Sequence, residues 1–181
     1  MYNPDQYFDA SEYIQTSTGN IVSRKAVIFR PEQVELPGGR CIIKPGVIIR
    51  GDFAPVQIQR YCVIGENTIL RPSYTISKTF KFIPLTIGKY SYIGENCIIE
   101  SAVIGAGCDI GDDCILSMRC ILKDHVKVES GSVVPPDMVV PPFSILSGCP
   151  ARIIGEVQES ATTLAQVEAI ARFKSNKAIG K

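Results

Sequence analysis

Stepping six residues at a time from Ile104 lands on Ile110, Leu116, Leu122, Val128, Val134, Val140 and Leu146, an unbroken aliphatic series. The same phase runs upstream through Ile87, Ile93 and Ile99, then takes one five-residue step to Ile104, and it recurs at Ile58, Ile64 and Leu70. With Ile, Leu and Val together near a quarter of ordinary sequence, eight in a row arise by chance roughly once in 60,000 trials. A second column follows four residues behind the first and is mostly small or thiol-bearing: Cys62, Thr68, Ser91, Cys97, Val103, Cys108, Cys114, Cys120, Val126 and Ser132. Period six is neither the 3.6 of a helix nor the two of a simple strand. It suits a triangular coil, with a short strand on each side, a Gly/Asn/Asp-rich corner between sides, and the aliphatic pointing inward. Three hexads close one coil. A single coil cannot bury its own apolar face, so coils stack in parallel about 4.8 Å apart around one continuous core. The expected fold is all-β, a parallel β-helix built from hexapeptide repeats.

The repeat sets the expected organisation. Residues 1–20 read as a lead-in, in which Tyr7, Phe8, Tyr13 and Ile14 wrap the first coil. The β-helix occupies residues 21–151. Residues 152–181 form a C-terminal segment with a short amphipathic helix at about 160–174, its apolar stripe formed by Leu164, Val167, Ile170 and Ala171. Ser160 or Thr162 would cap that helix. Two longer interruptions break the solenoid. Arg50-Gly51-Asp52-Phe53 lengthens one corner and reads as a structural turn, since Gly accepts the conformation such a corner needs. Residues 71–86 form an inserted loop, long for a compact domain, and such loops are usually functional or disordered. Tyr74, Lys78, Phe80, Lys81 and Phe82 within it combine aromatics with cations, the residue types enriched at interface hot spots. They form the candidate partner-binding set. The five-residue step near Ser101-Ala102 reads as a trimmed corner.

Composition narrows the function. Lys plus Arg number 19 against 18 Asp plus Glu, so no basic surplus supports nucleic-acid binding. Apolar runs such as Val47-Ile48-Ile49 end within a few residues at Arg, Asp or Gly, far short of the roughly 20 a membrane span requires. Met1-Tyr2-Asn3-Pro4-Asp5 has neither the basic nor the apolar region of an export signal, so a cytoplasmic chain with reduced thiols is expected.

Catalytic chemistry is sparse. The γ-class carbonic anhydrases share this fold and a turn like Arg50-Gly51-Asp52, but they hold zinc with three His, and this chain has one, His125. Hexapeptide acyltransferases use a His as general base. Their C-terminal coils resemble residues 131–152 here, and Asp124 stands beside His125 where it could orient the ring. An exposed corner His in a polar turn is the competing reading. The thiols at Cys97 and Cys114 stack in one column on neighbouring coils, in the slot where Cys serves as a compact hydrophobe. No catalytic, cofactor-binding or metal residues are assigned, and no cofactor is expected.

Segments outside the generic repeat are more specific. Ser11-Glu12-Tyr13-Ile14 with Gly19-Asn20-Ile21-Val22-Ser23-Arg24 resembles the N-terminal signature of the dynactin subunit five family, pointed-end components of the dynactin complex. Ile49-Arg50-Gly51-Asp52, Arg60-Tyr61-Cys62-Val63-Ile64, Arg71-Pro72 and Phe82-Ile83-Pro84-Leu85-Thr86-Ile87-Gly88 are similar too, as are Arg119-Cys120-Ile121-Leu122-Lys123-Asp124, Val139-Val140-Pro141-Pro142-Phe143 and Gly148-Cys149-Pro150. The resemblance runs over about residues 11–155. It implies a left-handed prism, against the usual handedness of parallel crossovers. It further implies a non-enzymatic, cytoskeleton-associated subunit. Its partners would be a second hexapeptide-repeat dynactin subunit, other pointed-end subunits including an actin-related protein, and cargo adaptors, with neither nucleic acid nor direct membrane insertion. The alternative is a homotrimeric acyltransferase with His125 as base.

Overall fold

In the computed structural model, which describes residues 10–176, short strands stack into three parallel sheets around a triangular core. The first coil takes strands Ile21–Ser23, Val27–Phe29 and Val34–Glu35, one from each side of the triangle. Five further coils follow in register, and a last strand, Ser144–Gly148, begins a seventh. Ile43, Ile64, Ile93, Ile110, Val128 and Leu146 form one inward column of the first sheet, each lying directly above the last. Ile49, Leu70, Ile99, Leu116 and Val134 do the same on the second sheet, and Ile58, Ile87, Ile104, Leu122 and Val140 on the third. All of these side chains are fully buried in one core running the length of the prism.

The small column serves a purpose beyond fitting. Thr68 and Ser91 donate their hydroxyls to the carbonyls of Gly94 and Gly105, and Cys41, Cys62, Cys97, Cys108 and Cys114 direct their thiols to carbonyls one coil further on, at 3.0–3.2 Å. A side chain of this size closes the gap at the corner while satisfying an acceptor that the strand ladder leaves over. The corners themselves turn through left-handed backbone, where Asn67, Asn96 and Asp113 are tolerated because their short side chains bond locally. Gly65 has a different reason. A Cβ there would stand 2.3 Å from the backbone of Gly94 in the next coil.

Both ends of the first sheet are finished by antiparallel strands. Tyr13–Gln15 pairs with Ile21–Ser23 below, and Ala151–Glu156 pairs with Ser144–Gly148 above. The chain then folds back as helix α1 (Ala161–Ser175), which lies along the outside of the first sheet. The expected apolar stripe is corrected here. Leu164, Val167 and Ala171 face outward, and the residues α1 buries are Ala169 and Phe173. Phe173 packs with Ile21, Ile42 and Val63, which point out of the first sheet, inside a rim formed by Tyr13, Tyr61 and Tyr92. Ser160 makes no side-chain cap, and Thr162 bonds back to the Glu159 carbonyl instead. Of the four lead-in residues, Tyr13 joins this cluster, Ile14 is half exposed, and Tyr7 and Phe8 lie outside the described residues. No helix among the described residues is long and apolar enough to cross a membrane.

Candidate interaction surface

Residues 71–86 are ordered as a β-hairpin where a loop was expected. Ser73–Ile76 pairs antiparallel with Phe80–Ile83 across a three-residue turn, and Leu85–Ile87 then resumes the third sheet. The sequence supports this locally: Tyr74, Thr75, Ile76, Phe80, Phe82 and Ile83 are β-branched or aromatic, the types that suit a pleated ribbon. Arg119 pins the base of the hairpin. Its Nη1 donates to the Tyr74 carbonyl at 2.8 Å and its backbone N–H to Ser73 Oγ at 3.0 Å, while Nε and Nη2 clasp both oxygens of Asp137 at 2.6 and 2.7 Å. Ser73 in turn donates to the Glu100 carbonyl.

Strand alternation divides the candidate set. Tyr74 lies opposite Phe82 and Ile76 opposite Phe80, so these four share one face of the hairpin. Lys81 lies opposite Thr75 on the other face, and Lys78 sits at the exposed turn. Aromatics and cations are therefore separated, in contrast to the single mixed set expected. The aromatic face continues beyond the hairpin. Phe80 meets Phe82 edge-on at 4.9 Å and Tyr74 at 5.3 Å, and Phe82 stacks flat on Phe53 at 5.0 Å. The Arg50 guanidinium then lies 4.1 Å from the Phe53 ring and 4.9 Å from the Phe29 ring. Phe29, Phe53 and Ile76 were missed by sequence reasoning, because residues far apart in the chain meet only once the coils stack. Ile76 had a local signal, since it follows Tyr74 at a two-residue interval.

The Arg50-Gly51-Asp52 turn is internally engaged. Arg50 Nε and Nη2 bind both Asp52 oxygens at 2.8 and 2.7 Å, and this pairing holds the Asp52 carboxyl below its usual range.

His125 occupies a left-handed corner and stacks on Phe143 at 5.3 Å between centroids. Its Nδ1 is buried with no hydrogen-bond partner among the described residues, pressed over Gly107. Asp124 does not orient it; Asp124 Oδ1 accepts from the Ala106 N–H in the coil below at 2.8 Å. The ring borders a cleft of about 230 Å³ against α1, shared with Lys89, Tyr90, Thr162 and Gln166. A base needs a partner to fix its tautomer, and among the described residues none is placed to do so at Nδ1. The described residues contain no group of three or more His, Cys, Asp or Glu placed to hold a metal ion.

A family described as Dynactin subunit 5 matches residues 1–175. The chain belongs to that family. Dynactin subunit 5 of Dictyostelium discoideum is 49% identical over 76 residues, a stretch covering 42% of this chain and 36% of that relative, so the match spans well under half of the relative's length. Among solved structures, a hexapeptide transferase family protein from Anaplasma phagocytophilum superposes with a TM-score of 0.67 at 20% identity, over 89% of this chain and 93% of that one. A mutant of AntD, an N-acyltransferase from Bacillus cereus in complex with dTDP and coenzyme A, gives a TM-score of 0.69 at 17% identity, over 83% and 88%. Likeness at that identity is one of fold: the left-handed, hexapeptide-repeat β-helix.

Proposed function

We propose that this chain is a non-enzymatic structural subunit of the dynactin pointed end. In this reading it pairs with a second hexapeptide-repeat subunit, sits beside an actin-related protein, and helps dynein–dynactin engage cargo adaptors and membranes from a cytoplasmic, cytoskeleton-associated position. The family match over residues 1–175 carries the proposal. The hairpin supports it, because Arg119 holds Tyr74, Phe80 and Phe82 in place before any partner arrives and so lowers the ordering cost of binding. Lys78 at the tip and Lys81 on the opposite face would meet acidic groups of the same adaptor or a neighbouring subunit.

A tagged chain recovered from cytosolic extract should bring down actin-related proteins and a second hexapeptide-repeat chain, identified by mass spectrometry. A lone symmetric homotrimer would overturn the proposal and turn attention to acyl-CoA binding and a His125→Ala variant. For the hairpin, Phe80→Ser combined with Phe82→Ser should weaken adaptor capture or assembly roughly tenfold or more, the loss of a hot-spot contact. The prism's thermal midpoint should hold, since both rings lie outside the solenoid core. Undiminished capture and assembly would remove the hairpin from the interface.

A further inference from the structure

We propose that the prism corner between Tyr90 and His125 is a stacking slot for the base of a purine nucleotide, with α1 as its outer wall and Lys89 beside the phosphate. Where the chain passes from the third sheet to the first, each coil contributes one left-handed residue: Arg40, Tyr61, Tyr90, Gly107, His125 and Phe143, with φ between 59° and 65°. Backbone bonds hold successive corners in line, with Tyr90 N–H donating to the Arg60 carbonyl, Gly107 to Lys89, His125 to Ala106 and Phe143 to Asp124. The side chains of this column form a ladder. The Arg40 guanidinium lies 5.4 Å from the Tyr61 ring, Tyr61 stacks on Tyr90 at 5.7 Å, and His125 stacks on Phe143 at 5.3 Å. Gly107 is the one rung without a side chain. The backbone does not demand glycine there, because the other residues of the column hold the same conformation with full side chains. Tyr90 and His125 stand two coils apart, roughly 9.6 Å. A ring midway would lie about 4.8 Å from each, within the range at which rings attract.

The position of His125 marks this rung as under-filled. Its ring leans down over Gly107, where a Cβ would stand 2.5 Å from Nδ1, and Nδ1 is left buried without a partner among the described residues. An unpaired buried nitrogen costs stability. A ring entering the rung lifts His125 toward its own place in the ladder and returns Nδ1 to water, so the occupant relieves that cost as well as stacking. The space opens to the side, in the cleft of about 230 Å³ that Tyr90, Gly107 and His125 share with α1. Pockets for drug-sized molecules begin at roughly 300 Å³. This smaller cleft suits one ring system, with the rest of the ligand outside.

The lining selects the ring. Thr163 and Gln166 bring a hydroxyl and a carboxamide to the cleft, groups that bond the edge nitrogens and amino group of a purine and would find no partner on a Phe ring. A purine also covers more of each flanking ring than a pyrimidine does, and stacking strength sets base preference at such sites. Lys89 is the cation among the lining residues, and no carboxylate is among them. Its amine lies 5.8 Å from the Tyr90 ring and the Arg60 guanidinium 5.7 Å from the same ring, so two cations flank the base where a phosphate would emerge. The acids Asp109 and Glu168 border a second cleft farther along α1, together with Lys127 and Arg172. The slot does not depend on the chain's place in a complex.

The test titrates the full chain with AMP and GMP by equilibrium dialysis, alongside UMP, coenzyme A and N-acetyltryptophanamide. Saturable binding of AMP or GMP at one site per chain is expected, several-fold tighter than UMP or the indole, with slower amide exchange over residues 161–166 in the bound state. Gly107→Tyr supplies the missing ring, so it should weaken purine binding tenfold or more at an equal or higher thermal midpoint. Should that variant fail to fold, Tyr90→Leu removes one flank at a ring outside the solenoid core and should also weaken binding about tenfold, the loss of one stacking contact. No saturable purine binding up to about 1 mM, a threshold of roughly 4 kcal/mol, would overturn the proposal, as would undiminished binding in either folded variant. Preference for the indole would instead make the slot a seat for a protein side chain. Coenzyme A binding tenfold tighter than AMP would make it an acyl-carrier groove. Either result overturns the nucleotide assignment and leaves the dynactin reading standing.

Discussion

Cys108 and Cys120 occupy the same small slot on different corners, and burial pushes both thiols up to about 12. The thiolate is the reactive species, so these residues are inert near neutral pH. Cys149, by contrast, is exposed, and the other six cysteines are buried. Iodoacetamide at pH 8 should therefore modify one cysteine per native chain, at Cys149, and all seven after denaturation; a second fast-reacting site would show that the corner thiols are open. The period-six columns made the structural role of these thiols legible, because the repeat alone says which way each side chain points. The surroundings of His125 were not legible. Its contact with Phe143 spans 18 residues, and the diversion of Asp124 to the Ala106 N–H depends on how two coils align.

The hairpin and α1 are the two elements added to the repeat, and sequence reasoning fared differently on each. The hairpin's residues stood out as an interruption, but its strand pairing and the split of Lys81 from the aromatics follow from a register fixed at its base by Arg119. Removing that anchor with Arg119→Ala should raise tryptic cleavage after Lys78 and Lys81 several-fold without altering the solenoid's unfolding midpoint by more than a few degrees. The anchor also carries a pH signature. Arg119 holds the Asp137 carboxyl below its usual range, so the stabilisation is complete above the unfolded carboxylate value of about 4 and is lost as pH falls through the lower folded value. Hairpin amide protection should thus stay level from pH 8 to 5 and drop below about pH 4. For α1, helical periodicity selected Leu164 and Val167, which are exposed, because the helix has two possible apolar sides and its own sequence does not name the one that docks. The missing signal lay on the receiving surface, in the doubled aliphatics Ile42-Ile43 and Val63-Ile64, whose first members point outward. Phe173→Ala should cost about 3 kcal/mol of docking, the usual loss for a buried ring. Faster hydrogen exchange across residues 161–175, with the coils unaffected, would register it.

At the scale of the whole molecule, nearest-neighbour coils supply the stability, and the ends have fewer neighbours than the middle. The first sheet is closed by antiparallel strands at both ends, whereas among the described residues no further strand pairs with the second and third sheets at Val27–Phe29 and Val133–Val134, or at Val34–Glu35 and Val139–Val140. Hydrogen exchange should be slowest in the fourth and fifth coils, residues 92–122, and fastest at those open edges; uniform protection along the prism would mean that the ends are covered. The stack of coils was legible because one period specifies most of them, whereas the antiparallel strands that finish the first sheet and the pairing of the hairpin were not. Equal spacing also makes the prism a ruler with fixed graduations. The hairpin leaves the chain at the third mark, and its height relative to either end changes only by whole coils, about 4.8 Å for each 17 or 18 residues gained or lost. A partner that grips the rungs and another that grips the hairpin are thereby held at a distance that evolution can alter by counting but not by degrees.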